Sequence, residues 1–136
     1  MDFPVLTATG YFDDDQPGAL RYYRNHLKGA PAAAVSQHYL VIGPWYHGGT
    51  QKPTKEIEGL AISDAALPDM GALHADWYDW VIGRGSKPAF LHDRVAYFMM
   101  GADEWRYAKS LEAASSGKVC VCICPTRKER RGTQVN

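Results

Sequence analysis

The sequence predicts an α/β fold in which parallel strands are covered by helices, and three observations predict it. Residues 4–10 and 37–43 are apolar runs that each end in glycine, the signature of a buried strand with a tight exit. The segment between them has apolar residues at helical spacing, and a strand-helix-strand order implies a parallel pair, because such crossovers nearly always leave their strands parallel. Asp13 and His47 stand in the loops just past the two strands, so both emerge at one edge of the sheet, where open α/β folds bind ligands.

Each element follows in order. Pro17 suits the first turn of a helix with Asp14 or Asp15 as its cap, and Leu20, Tyr23, Arg24 and Leu27 continue it until Gly29. Residues 30–36 are a connector of small side chains. Residues 50–73, rich in Lys, Thr, Pro, Gly and Asp, read as an irregular excursion. Over 75–82, Trp77, Trp80 and Val81 fall at i, i+3 and i+4, which predicts a helix that buries indole against the sheet and stops at Gly83 and Gly85. Residues 94–101 read as a third strand and 119–124 as a fourth. Between them, 102–114 reads as an exposed aromatic turn around Trp105 followed by a polar or helical stretch. From Pro125 the chain becomes a basic tail unable to bury anything, and it is expected to be disordered.

Composition narrows the function classes. With 136 residues and 46% hydrophobic content, the chain has the size of one small domain with a packed core. Lys plus Arg balances Asp plus Glu at 15 each, so no global field steers the protein toward nucleic acid or anionic membrane. Neutrality instead favours self-association. The longest apolar runs, 39–42 and 95–100, are far short of the roughly 20 residues that a bilayer requires. Met1-Asp2-Phe3-Pro4 has no basic segment leading into an apolar one, so no signal peptide is read. A cytoplasmic location is the default, and a longer parent could be secreted or periplasmic.

Cys120, Cys122 and Cys124 lie two apart, poorly placed for an internal disulfide and unlike zinc-ligand spacing. They read as one face of a strand in a reducing compartment. No metal and no cofactor are expected. His26, His38, His74 and His92 read as surface or satisfied core residues, and Trp77, Trp80 and Trp105 as core.

The chemistry rests on Asp13 and His47. In nucleophilic acyl transfer a histidine removes the serine proton, while a carboxylate fixes its tautomer and stabilises its cationic form. The two residues occur in the order of a Ser, Asp, His triad built on loops after late strands. From composition alone Asp13 reads first as a helix-capping carboxylate in an acidic loop, with Asp14 as the alternative acid. Trp45 and Tyr46 could line an acyl pocket beside His47 or pack under its loop.

The wording around these residues adds a resemblance. Pro4-Val5-Leu6-Thr7-Ala8-Thr9-Gly10-Tyr11-Phe12-Asp13 is similar to the acid loop of CocE/NonD serine hydrolases, and Leu40-Val41-Ile42-Gly43-Pro44-Trp45-Tyr46-His47 to their Gly-Pro-Trp-x-His loop. Asp76 to Gly83 resembles their Trp-Phe-Asp-x-x-Leu-Lys-Gly helix, and Val95 to Trp105 the stretch that leads from the hydrolase domain into a jelly roll. The family groups cocaine esterase, X-Pro dipeptidyl-peptidases, α-amino-acid ester hydrolases and glutaryl-cephalosporin acylases. The resemblance implies that residues 1–88 are the C-terminal part of an α/β-hydrolase sheet, with 89–124 the start of a jelly-roll segment before the tail at 125–136. It implies cleavage of a small acyl ester or amide through an acyl-serine, with Asp13 orienting His47 and His47 as general base.

The departure is equally informative. Ser36, Ser63, Ser86, Ser110, Ser115 and Ser116 all lack the flanking glycines of a Gly-x-Ser-x-Gly elbow. A hydrolase sheet also runs to about 200–250 residues. The expectation is therefore a fragment that is inactive alone. Two alternatives stand beside it: a non-catalytic binding or oligomerisation module, and one half of an enzyme whose serine half is a separate chain.

Overall fold

A computed structural model describes residues 3–116. The expected strand at 119–124, its cysteines and the tail at 125–136 lie outside those residues. Strand β1 (Val5–Gly10) leads into helix α1 (Gln16–Gly29), a short helix α2 (Ala32–Val35) and strand β2 (His38–Gly43). A two-stranded hairpin follows, β3 (Glu56–Ile57) with β4 (Leu60–Ala61), then helix α3 (Met70–Val81), strands β5 (Val95–Met99) and β6 (Glu104–Ala108), and helix α4 (Leu111–Ser116).

The main sheet has the order β1-β2-β5-β6. β1 and β2 are parallel and in register from Val5↔His38 to Gly10↔Gly43, and β2 and β5 are parallel from Leu40↔Val95 to Ile42↔Tyr97. β5 and β6 are antiparallel. The mainly parallel α/β architecture agrees with the expectation.

Alternation along β2 divides the core in two. Leu40 and Ile42 face Leu20 and Tyr23 of α1 and Leu111 and Ala114 of α4, while Tyr39 and Val41 face Met70, Leu73 and Trp77 of α3. Every residue of β2 is buried, as suits a central parallel strand with helices on both faces. Each large apolar side chain taken out of water there contributes about 1.5–3 kcal/mol before entropy is counted. No helix among the described residues is long and apolar enough to cross a membrane.

Several local expectations are corrected. α3 starts at Met70, five residues earlier than the tryptophan spacing suggests, because the Asp69 carboxylate accepts from Ala72 N at 2.9 Å and caps it there. The segment 50–73 is less irregular than expected: Glu58 (φ 48) and Gly59 (φ 84) supply the two left-handed positions that a tight hairpin between β3 and β4 requires. The aromatic turn expected around Trp105 is strand β6. Asp103 (φ 50) and Gly101 (φ 84) make the reversal, and Trp105 and Tyr107 then pack on one sheet face with Phe90. β5 and β6 belong to the same sheet as β1 and β2.

Candidate active site

β1 and β2 end side by side, and their exit loops are stitched together by the backbone. Tyr11 N donates to Gly43 O at 2.9 Å and Phe12 N to Trp45 O at 3.0 Å. The approach is close enough that a Cβ on Gly10 would stand 1.9 Å from the Trp45 carbonyl oxygen. Gly43 is needed for a different reason, since a Cβ there would stand 2.2 Å from the Trp45 ring. Gln16 Nε2 donates to Gly10 O at 2.8 Å, and Tyr11 OH to Phe98 O at 2.9 Å. Burial, with Tyr97 adding to it, pushes the Tyr11 phenol up to about 12, so this anchor stays a neutral donor across the physiological range.

These contacts place Asp13. Its carboxylate is buried and accepts from Thr9 Oγ1 at Oδ2 (3.0 Å) and from Asp15 N at Oδ1 (3.0 Å). Its Oδ1 also lies 3.2 Å from His47 Nδ1. An ionised carboxylate only accepts, so the Nδ1 facing it carries a proton, and in the neutral ring this leaves the lone pair on Nε2. No group among the described residues hydrogen-bonds Nε2. His47 opens a 3₁₀ turn over His47–Thr50 that is held by Gly49 N to Tyr46 O (2.9 Å), and its side chain is 67% exposed. A histidine fixed at Nδ1 by a buried carboxylate, with Nε2 free on an exposed ring, can take a proton from an incoming hydroxyl and return it.

The other expected residues divide. Asp14 is exposed and makes no bond or ion pair to His47. Trp45 is fully buried, its Nε1 donating to Ala66 O at 3.0 Å, so packing under the loop describes it and it offers no surface to a ligand. Tyr46 is 43% exposed beside His47. Asp15 stands at the cap position of α1 but its side chain makes no capping bond, and its Oδ2 lies 3.6 Å from His47 Nδ1.

Sequence reasoning missed Thr9 and Asp15 as members of the site. Thr9 is legible only as a β-branched strand residue, since its bond to Asp13 depends on the turn after Gly10. Asp13, Asp15 and His47 are also the group among the described residues whose donor atoms, all within 4.8 Å, could share a metal ion. Both Asp13 oxygens are already engaged.

His38 lies at the opposite end of β2. It is fully buried, with Nε2 2.8 Å from Thr7 Oγ1 and Nδ1 3.0 Å from His26 Nδ1, which makes it a satisfied core histidine.

No family model matches the chain, and no curated protein matches it. Among solved structures, the chain is similar to the crystal structure of an aminopeptidase from a marine-sediment archaeon, Thaumarchaeota archaeon. The identity is 21% and the TM-score 0.64, over 79% of this chain and 17% of that one. The chain thus spans less than a fifth of that aminopeptidase's length, and what the two share at this identity is the fold.

Proposed function

We propose that this chain carries the acid and base of a serine hydrolase of the CocE/NonD type, acting on a small acyl ester or amide, with the nucleophile supplied from outside residues 1–136. The observation that supports it best is the bond from His47 Nδ1 to a buried Asp13 carboxylate that is itself held by Thr9 and the Asp15 amide. In this reading a serine Oγ gives its proton to Nε2 as it attacks the acyl carbon. The imidazolium beside Asp13 then protonates the leaving alcohol or amine, and water repeats the sequence on the acyl-serine. In the same reading Tyr46, 43% exposed beside His47, meets the substrate, and residues 89–124 are the start of a jelly-roll segment.

The test is fluorophosphonate labelling and ester turnover. The chain alone is expected to give neither. Co-expression with an α/β-hydrolase N-terminal half bearing Gly-x-Ser-x-Gly is expected to give a labelled serine, and turnover that Asp13→Asn and His47→Ala each lower by at least about 10³-fold. Turnover indifferent to both substitutions sinks the proposal.

A second reading, a non-catalytic oligomerisation module, is favoured by β1. It ends the sheet with no strand partner on its outer side among the described residues, and an unpaired edge is a template for another chain.

A further inference from the structure

We propose that Asp15 is a second positioning residue of this site, a carboxylate whose charge holds the Nδ1 side of His47 together with Asp13. The inference rests on the acid-base reading of Asp13 and His47 and extends it. It starts from an aspartate that is not doing what its place in the chain suggests. Asp15 immediately precedes α1, where an aspartate ordinarily accepts from the second or third helical N–H. Here its backbone is already helical (φ −85, ψ −3), its side chain makes no capping bond, and the free amides of Gly18 and Ala19 are taken by its own carbonyl oxygen.

The carboxylate is therefore released from the helix end, and it lies 3.6 Å from the nitrogen that Asp13 approaches at 3.2 Å. Asp13 itself arranges this, because its Oδ1 accepts the Asp15 N–H at 3.0 Å and so fixes the backbone from which the second carboxylate reaches back. At 3.6 Å the Asp15 oxygen is beyond a hydrogen bond, so it acts on the ring as a charge. Two negative groups on the Nδ1 side favour a proton there and disfavour the flipped or Nε2-protonated ring, which could not accept from a nucleophile. When a proton reaches Nε2, the same charges face the imidazolium.

The test reads the ring directly. Imidazole nitrogen chemical shifts of the ¹⁵N-labelled chain, taken where His47 is neutral, report the ratio of Nδ1–H to Nε2–H tautomers. The wild-type ring is expected to be mostly Nδ1–H. Asp13→Asn is expected to lower the ratio about tenfold or more. Asp15→Asn, which keeps the shape and removes the charge, is expected to lower it roughly two- to fivefold. Asp15→Glu is expected to restore most of it, with unchanged amide spectra serving as the check on folding. An unchanged ratio in Asp15→Asn beside a lowered one in Asp13→Asn removes Asp15 from the site and leaves the acid-base reading intact. No change in either variant overturns both.

Discussion

Gly10 carries no side chain because the Trp45 carbonyl oxygen occupies the place where one would begin. Gly10→Ala must push the acid loop off the histidine loop, and a loss of about 1–3 kcal/mol in unfolding free energy is expected, as for other overpacked sites. Gly18→Ala is the control: nothing lies within 4 Å of its Cβ and it sits inside α1, so a gain of about 0.5–1 kcal/mol is expected. Denaturant unfolding of the two variants checks both signs, and equal effects would contradict the interlock. Asp13 and His47 were legible at this scale because loop position and surrounding motif both marked them. Asp15 was read only as a cap, since its turn toward His47 depends on a backbone conformation that residue type does not reveal. Trp45 was ambiguous for a similar reason: an aromatic in a strand's exit loop can face either way, and only the glycines around it show that its ring fills the space below.

α1 is tied to β2 by a pair of histidines at the end of the strand remote from the site. Tyr23 packs edge-on to the His38 ring, 4.6 Å between centroids, while His26 meets it at Nδ1. Burial, and then the neighbouring His26, lower the pKa of His38 to about 4. The unfolded chain therefore binds this proton more tightly than the folded one, since an exposed histidine titrates near 6.5. Stability from this group is complete above about pH 6.5 and is lost as pH falls toward 4, at up to about 1.4 kcal/mol per pH unit. Unfolding curves at several pH values are expected to show this slope, and His38→Gln is expected to flatten it; an unchanged slope in that variant would assign the acid sensitivity elsewhere. Among elements, β1, α1 and β2 were legible from period and glycine stops. β6 was not legible, although Glu104-Trp105-Arg106-Tyr107 alternates polar and aromatic residues, because a run of five residues beside a turn becomes a strand only through its pairing with β5. The start of α3 was not legible in the indole spacing, because the first turn is fixed by the Asp69 cap and not by the apolar face.

The sheet as a whole has helices over both faces, while its β1 side ends without a strand partner among the described residues. With a formal net charge of zero, little electrostatic repulsion opposes contact between copies. Sedimentation across a wide concentration range is expected to show mass rising with concentration, and a constant monomer mass would mean that the β1 edge is protected. The parallel class was legible because a strand-helix-strand order leaves few alternatives, whereas the continuity of the sheet through β6 depends on long-range pairing that no local pattern encodes. Asp13 and His47 are 34 positions apart in the chain, yet their separation is measured by the pairing of Gly10 with Gly43 and not by the length of what lies between. Residues can accordingly be inserted or deleted around α2 while the two side chains stay where they are. One residue gained or lost between Gly10 and Asp13 takes the carboxylate out of step with His47. Two lineages of this domain that drift far apart in length still inherit the same Asp-His pair as a unit, provided that their loops keep count.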